Sequence, residues 1–303
     1  MRIGLMSSTV GSPKATLDDL VQEAQAAERD GFSLFIVANI FGHDAIGALT
    51  VVGRETERIE LMTGVVPMHP RHPIAIAQQA LTASAASGGR FRLGIGLSHQ
   101  IVIENMLGLS YTRHAAYTRE YLQVLAPLLT GQPCSFQGEF FKVQAQLQAG
   151  GASDVPVLVA ALGPRMLGVT GELAAGTITW MTGVKTLDGF TVPTLRAAAS
   201  EAGRPEPRIV AGLPIALSDN PDKAREVAGQ AFQMYGSLPS YRAMLDREGA
   251  AGPADVAIVG DESALRGAIA RLRDAGVTDF LAAPFPAEQG AVARTTGFLK
   301  SEL

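Results

Sequence analysis

The chain has 303 residues, 47% of them hydrophobic and 18% charged, with a formal net charge of −4. That balance argues against nucleic acid or an anionic membrane as a partner, and a single cysteine, Cys134, excludes an intrachain disulfide and a cysteine-built metal site. The opening apolar run is too short for a signal peptide and no segment is long enough to span a bilayer, so a soluble, cytoplasmic protein is expected.

Short apolar runs alternate with longer segments of helical period along the whole chain. Arg2 to Met6 reads as the first strand, followed by a helix with Thr16 as N-cap, Asp18 and Asp19 in its first turn and Gly31 as its stop. Phe32 to Ala38 is the second strand and a helix begins near Asp44. Ile59 to Pro67 is the third strand, and Pro73 stands where a helix has its first residue. The fourth strand lies within "GRFRLGIGLSH", Gly89 to His99. The helix after it carries Tyr117, Tyr121, Val124, Leu125 and Leu128 on one face, which reads as core, and ends at Gly131. Pro156 to Leu162 is the fifth strand, leading into a helix that starts at Gly163-Pro164 and has Gly176 at its far end. Thr177 to Met181, Arg208 to Leu217 and Thr278 to Pro284 complete eight strands; Asn220-Pro221-Asp222 and Asp261-Glu262 start the last helices, and Gly276 closes one.

Continuously apolar strands separated by helices imply parallel strands covered on both sides. Eight such units predict a (β/α)8 TIM barrel in one domain over residues 1–303, with an open doubly wound sheet as the rival that needs fewer units. Two segments exceed what a barrel requires: a Gly/Gln-rich insertion over about 132–153, read as a β excursion, and a helical region from Pro221 to Gly252.

A barrel builds its site just after each strand. Those positions are Asn39, then Gly64-Val65-Val66, Ser98-His99, Leu162-Gly163-Pro164-Arg165 and Trp180-Met181-Thr182-Gly183. Few are charged, which suits a planar cofactor better than metal-assisted hydrolysis. Gly163-Pro164-Arg165 reads either as a phosphate site at a helix N-terminus or as a simple helix start. Gly94-Ile95-Gly96 lacks the third glycine of a dinucleotide fingerprint. Gly96-Leu97-Ser98-His99-Gln100 lacks the last glycine of a nucleophile elbow, which leaves a Ser hydrolase without support. The two glycines then mark barrel packing or a close approach to the backbone. His99 reads as proton donor or as a loop histidine bonded to backbone, Asn39 as a cofactor contact or a cap, and Trp180, the one tryptophan, as pocket wall or core. His69 and His72 have a metal-like spacing, but no neighbouring Cys, Asp or Glu supplies a third ligand. Arg71 faces a cofactor tail or a nearby acid.

Four stretches, "FIVANIFGHDA", "TGVVPMHPRHPIAIAQQALT", "SGGRFRLGIGLSH" and "PVLVAALGPRMLGVTGELAAGTITWMTG", together resemble the luciferase-like flavin and deazaflavin oxidoreductases, in their coenzyme F420-dependent branch. The resemblance covers roughly Phe35 to Gly183. It implies an isoalloxazine-like ring lying across the barrel mouth, a non-prolyl cis peptide at Gly64–Val65 supporting it, and a phosphate held near Leu162 to Arg165 and Trp180 to Gly183. Gly94, Gly96, Leu97 and Ser98 would then leave room beside the ring. It also implies hydride transfer to or from a small organic substrate and a homodimer, with FMN-dependent monooxygenation or non-catalytic flavin binding as alternatives. Where the family often has Asp-His and Glu, this chain has Asn39-Ile40 and His99, so the cofactor frame carries over and the acid/base pair does not.

Overall fold

The computed structural model describes residues 1–9, 14–152 and 154–303; Ser153, at the end of the expected insertion, lies outside them. Eight parallel strands close into a barrel: β1 Arg2–Met6, β2 Leu34–Val37, β3 Glu60–Thr63, β4 Phe91–Gly96, β5 Val157–Val159, β6 Gly176–Trp180, β7 Arg208–Leu217 and β8 Asp279–Pro284. Each strand pairs with the next, β8 pairs with β1 (Arg2↔Asp279), and no edge is left open. The TIM barrel therefore stands and the open sheet does not.

Side chains alternate between two cores, as the strand period requires. Leu34, Ile36, Met62, Leu158, Ile178, Val210 and Leu281 fill the barrel interior, with Met6, Val65 and Ala160 packed on them. The opposite faces join the helices in a larger cluster between barrel and outer ring. At the N-terminal end, fully buried Asp279 takes two hydrogen bonds from Arg208, at 2.9 and 2.8 Å, and pairs with Arg2 at 2.7 Å. Glu60 pairs with Arg208 and Arg92, at 2.6 and 3.1 Å. This end serves stability.

Helix boundaries follow local chemistry. Helix α1, Leu17–Asp30, has the expected Thr16 cap and the left-handed Gly31 stop. Asp44 caps α2, Ala45–Arg54, and Pro73 opens α3, Pro73–Ala86, whose cap is the Nδ1 of His72. That capping bond gives His72 a structural task. α4 spans His114–Leu129, with left-handed Gly131 just beyond it, and α5 spans Pro164–Leu173. Asn220 and Asp261 cap the helices Pro221–Ala231 and Glu262–Asp274.

Several strand ends are trimmed by one to three residues, as at β5, which stops at Val159 and not at Leu162, and two boundaries differ in kind. Gly176 opens β6 instead of closing α5, because Leu158 and Arg208 on the flanking strands pair with it. The third strand does not run through to Pro67: it stops at Thr63, and Val66–Pro67 pairs separately with Ile95–Gly96. The insertion after α4 is the expected β excursion, a hairpin of Cys134–Gln137 with Lys142–Ala145. Glu120 pins its turn by accepting the N–H groups of Glu139, Phe140 and Phe141. The helical surplus after β7 is also present, as the helices Pro221–Ala231, Gln233–Ser237 and Pro239–Glu248. It ends in a short strand, Ile258–Gly260, paired with Ile215–Leu217.

Candidate active site

The floor of the C-terminal mouth is made where β3 breaks. The Gly64–Val65 peptide is cis, and Val65 lies partly exposed on top of the interior core. Val66 turns away and is fully buried. The glycines of β4 make this shelf fit: a Cβ on Gly94 would run into the Thr63 carbonyl oxygen, and one on Gly96 would lie 2.6 Å from Val65 Cγ2. Thr63 and Gly94 also exchange hydrogen bonds, Thr63 Oγ1 donating to the Gly94 carbonyl at 2.8 Å and accepting the Gly94 N–H at 2.9 Å. The space above Gly94 and Gly96 is thus taken by the chain's own shelf, and the two glycines admit that shelf, not a ring.

Beside the shelf lies a polar frame. Asn39 Oδ1 accepts the N–H of Ala45 at 3.0 Å, and Arg71 pairs with Asp44 at 2.7 Å while reaching Asn39 Oδ1 at 3.4 Å. Tyr121 donates to the Arg71 carbonyl at 3.0 Å. The carboxamide oxygen of Asn39 therefore serves as a cap, one of the two roles expected for it. Arg71 meets an acid, Asp44.

At the exit of β4, Ser98 takes a left-handed backbone conformation, φ 64°, and its carbonyl accepts the Tyr111 hydroxyl at 2.9 Å. His99 follows, half-buried beside Leu97, its ring 5.8 Å from that of Tyr241. Burial pushes the His99 pKa down, favouring a neutral imidazole. The loop then makes one wide turn, Ile101–Met106, before Tyr111 packs 4.2 Å from the ring of His114. His69 stacks on Tyr117 at 4.6 Å, and both its ring nitrogens are buried without a well-aligned partner among the described residues. Burial, and then the nearby His114, push its pKa down against the opposing pull of the Leu97 carbonyl. His114 is also lowered by burial, with Glu104 opposing. Burial raises Tyr111 and Tyr117 to about 12.

The wall opposite comes from the excursion after β7. Tyr241 contacts Tyr235, and Tyr235 and Phe232 meet the edge-on ring of Trp180 at 6.0 and 6.1 Å. An uncharged aromatic arc thus runs over the mouth. Tyr241, Tyr235 and Phe232 were not among the sequence candidates; their signal was the charge-free run "FQMYGSLPSY" (232–241) inside an otherwise charged helical region.

The two expected phosphate positions differ. At α5, Gly163 is the N-cap, no side chain caps the helix, and nothing lies within 4 Å of where a Gly163 Cβ would stand. Pro164 and Arg165 are exposed, Leu162 is partly exposed, and Arg165 has no ion pair among the described residues. At the end of β6, Glu248 reaches in and accepts the N–H groups of Lys185 and Thr186 at 3.1 and 2.7 Å. Gly183 leaves room for that carboxylate, and Met181, Thr182 and Gly183 are all buried. Of the sixth-strand candidates only Trp180 keeps surface at the mouth.

The sequence profile described as luciferase-like monooxygenase matches residues 1–285. The chain belongs to that family. Like its relatives in this luciferase-like family, it is an oxidoreductase. It is 29% identical over 258 residues to a 5,10-methylenetetrahydromethanopterin reductase of Methanolobus tindarius, covering 84% of this chain and 78% of that one. It is 30% identical over 247 residues to an F420-dependent glucose-6-phosphate dehydrogenase of Nakamurella multipartita, covering 77% and 72%. The fold matches the F420-dependent tetrahydromethanopterin reductase of Methanopyrus kandleri with a TM-score of 0.83 at 22% identity, over 100% of this chain and 98% of that one.

Two features of this mouth face solvent: the partly exposed Val65 side chain on the shelf, and the start of α5, whose amides no side chain caps and beside which Arg165 is exposed. Among the described residues, no helix is long and apolar enough to cross a membrane.

Proposed function

We propose that this luciferase-like chain is a coenzyme F420-dependent oxidoreductase acting on a small organic substrate. The observation that carries the reading is the open N-terminus of α5 beside an unpaired Arg165, at a mouth that also carries a neutral aromatic wall. The F420-dependent names of some of its relatives support the same cofactor. When bound, the deazaflavin supplies the hydride chemistry. The chain's part is to place the ring on Val65, to hold the phosphate at Gly163 to Arg165, and to keep water out with Trp180, Tyr235 and Tyr241. His99 handles the proton at the substrate oxygen. An imidazole kept neutral by burial is a proton acceptor near pH 7, so it best serves oxidation of a hydroxyl group. A cytoplasmic location and a homodimer complete the proposal, and sedimentation of the purified protein checks the dimer.

The test is a parallel titration of the apoprotein with F420 and with FMN, following cofactor fluorescence. Saturable F420 binding with FMN at least tenfold weaker is the expected result. The reverse order, with oxygen consumption in the presence of a flavin reductase, would replace this reading by an FMN-dependent monooxygenase. Tight binding without turnover on a broad panel of alcohols, enones and imines would leave a cofactor-binding protein.

A further inference from the structure

Large hydrophobic side chains left in water are informative when they gather at one place. Among the described residues nine are exposed, and all but Val51 and Leu303 belong to segments that follow three barrel strands. Ile40 and Phe41 follow β2, Ile101, Met106, Leu107 and Leu109 follow β4, and Met234 lies in the excursion after β7. The values are not marginal: Phe41 is 71% exposed, Met234 62% and Ile101 59%.

The same segments are nearly without charge. Residues 38–43 and 232–241 contain no Asp, Glu, Lys or Arg, and residues 97–112 contain only Glu104, whose carboxylate is held by Gln100 at 2.7 Å. Behind this rim stands the aromatic arc, in which His99 meets Tyr241, Tyr241 meets Tyr235 and Tyr235 meets Trp180. The three histidines of the mouth are held toward their neutral form by burial. Charges close to the mouth are engaged elsewhere: Arg71 by Asp44, Arg113 by Glu139, and Glu248 by backbone amides. With Arg165 taken by the phosphate of the proposed cofactor, a phosphorylated or carboxylated substrate would lose its hydration among these neutral segments and find the remaining charges already paired. An apolar one would cover side chains that are now in water.

We infer that the substrate is a bulky, uncharged, largely apolar molecule carrying one hydroxyl or carbonyl group, drawn in across the rim formed by Ile40, Phe41, Ile101, Met106, Leu107 and Met234. This rests on the proposed site but not on the identity of its cofactor. Trp180 is the only tryptophan and lies in the arc, so its emission reports occupancy of the cofactor-free protein.

The experiment titrates the Arg165→Ala apoprotein, which lacks the proposed phosphate cradle, with 2-hexanol, 2-octanol and 2-decanol, with decanoate and with glucose 6-phosphate, below the solubility limit of each. Trp180 emission should change saturably with the alcohols, affinity should rise roughly fourfold per added methylene, and both anions should bind at least tenfold more weakly than 2-decanol. The double variant Phe41→Ser/Met106→Ser should weaken 2-decanol binding several-fold while leaving the melting temperature unchanged. Three results overturn the inference: anions binding as well as 2-decanol, affinity independent of chain length, or a double variant that binds 2-decanol normally but shifts from dimer to monomer in sedimentation. The last would make the rim a subunit interface. F420 titration of the same proteins is a separate measurement, so failure of the cofactor reading and failure of the substrate class are told apart.

Discussion

Replacing Gly94 with alanine tests the account of the shelf. The added Cβ would overlap the Thr63 carbonyl oxygen by more than roughly 1 Å, and neither partner can swing aside because both belong to strand backbone. Overpacking of this kind costs about 1–3 kcal/mol. The reciprocal bonds between Thr63 Oγ1 and Gly94, at 2.8 and 2.9 Å, are buried, and losing them adds about 1 kcal/mol each. The total of about 3–5 kcal/mol corresponds to a melting temperature about 6–10 °C lower at roughly 2 °C per kcal/mol. Thermal denaturation followed by Trp180 emission measures it. Gly163→Ala is the control, since its Cβ enters open space at φ −87° and ψ 160°, a conformation open to alanine; its melting temperature should stay within about 1 °C of wild type. If Gly94→Ala melts within about 2 °C of wild type, or if Gly163→Ala is equally damaging, the packing argument is wrong.

Arg165→Ala should raise the dissociation constant for F420 about tenfold, with no loss of stability, since an exposed, charge-assisted contact to phosphate is lost and no ion pair; unchanged affinity in the fluorescence titration would remove the cradle from α5. Asp279→Asn should destabilise the protein by about 1.5–3 kcal/mol in urea, because the buried Arg208 guanidinium would lose its two charge-assisted bonds to Asp279 and keep only Glu60. It should leave F420 affinity untouched, being at the other end of the barrel. The folded pKa of His69 is lowered, chiefly by burial, so its neutral form contributes stability fully above the unfolded value near 6.5 and loses it as pH falls from there through the folded value. His99 and His114 act in the same direction. Melting temperature should therefore decline below about pH 6.5, and less steeply in His69→Gln; parallel pH profiles for the two proteins would contradict that assignment.

The barrel was legible because its cues are local. Thr16, Asp44, Asn220 and Asp261 cap helices with their own short side chains, and Gly31, Gly131 and Gly276 take left-handed conformations just past helix ends. Features that depend on distant partners were not. The run Ile59 to Pro67 reads as one strand because its break is set by packing against β4, some thirty residues on. Gly176 looks like a helix stop, and its pairing with Arg208 cannot be seen from its neighbours. At the site, His99 and Gly163 to Arg165 were found where the pattern of strand exits put them. The interception of the β6 amides by Glu248 was invisible, since that carboxylate arrives from 62 residues away. So was the aromatic wall, whose members become a surface only once the chain doubles back over the mouth.

The excursion after β7 leaves and returns on a single strand. Ser218 begins it with an N–H bonded to the Gly260 carbonyl at 2.9 Å, and Ile258–Gly260 zips back onto Ile215–Leu217. A segment whose two ends meet on one strand, and which Glu248 ties to the rest of the mouth at the amides after β6, behaves as a cassette as long as that tie is kept. Its length and aromatic content can drift, or be grafted from another chain, without altering strand register anywhere else in the molecule. New preferences for what enters can arise there while the machinery underneath stays as it was.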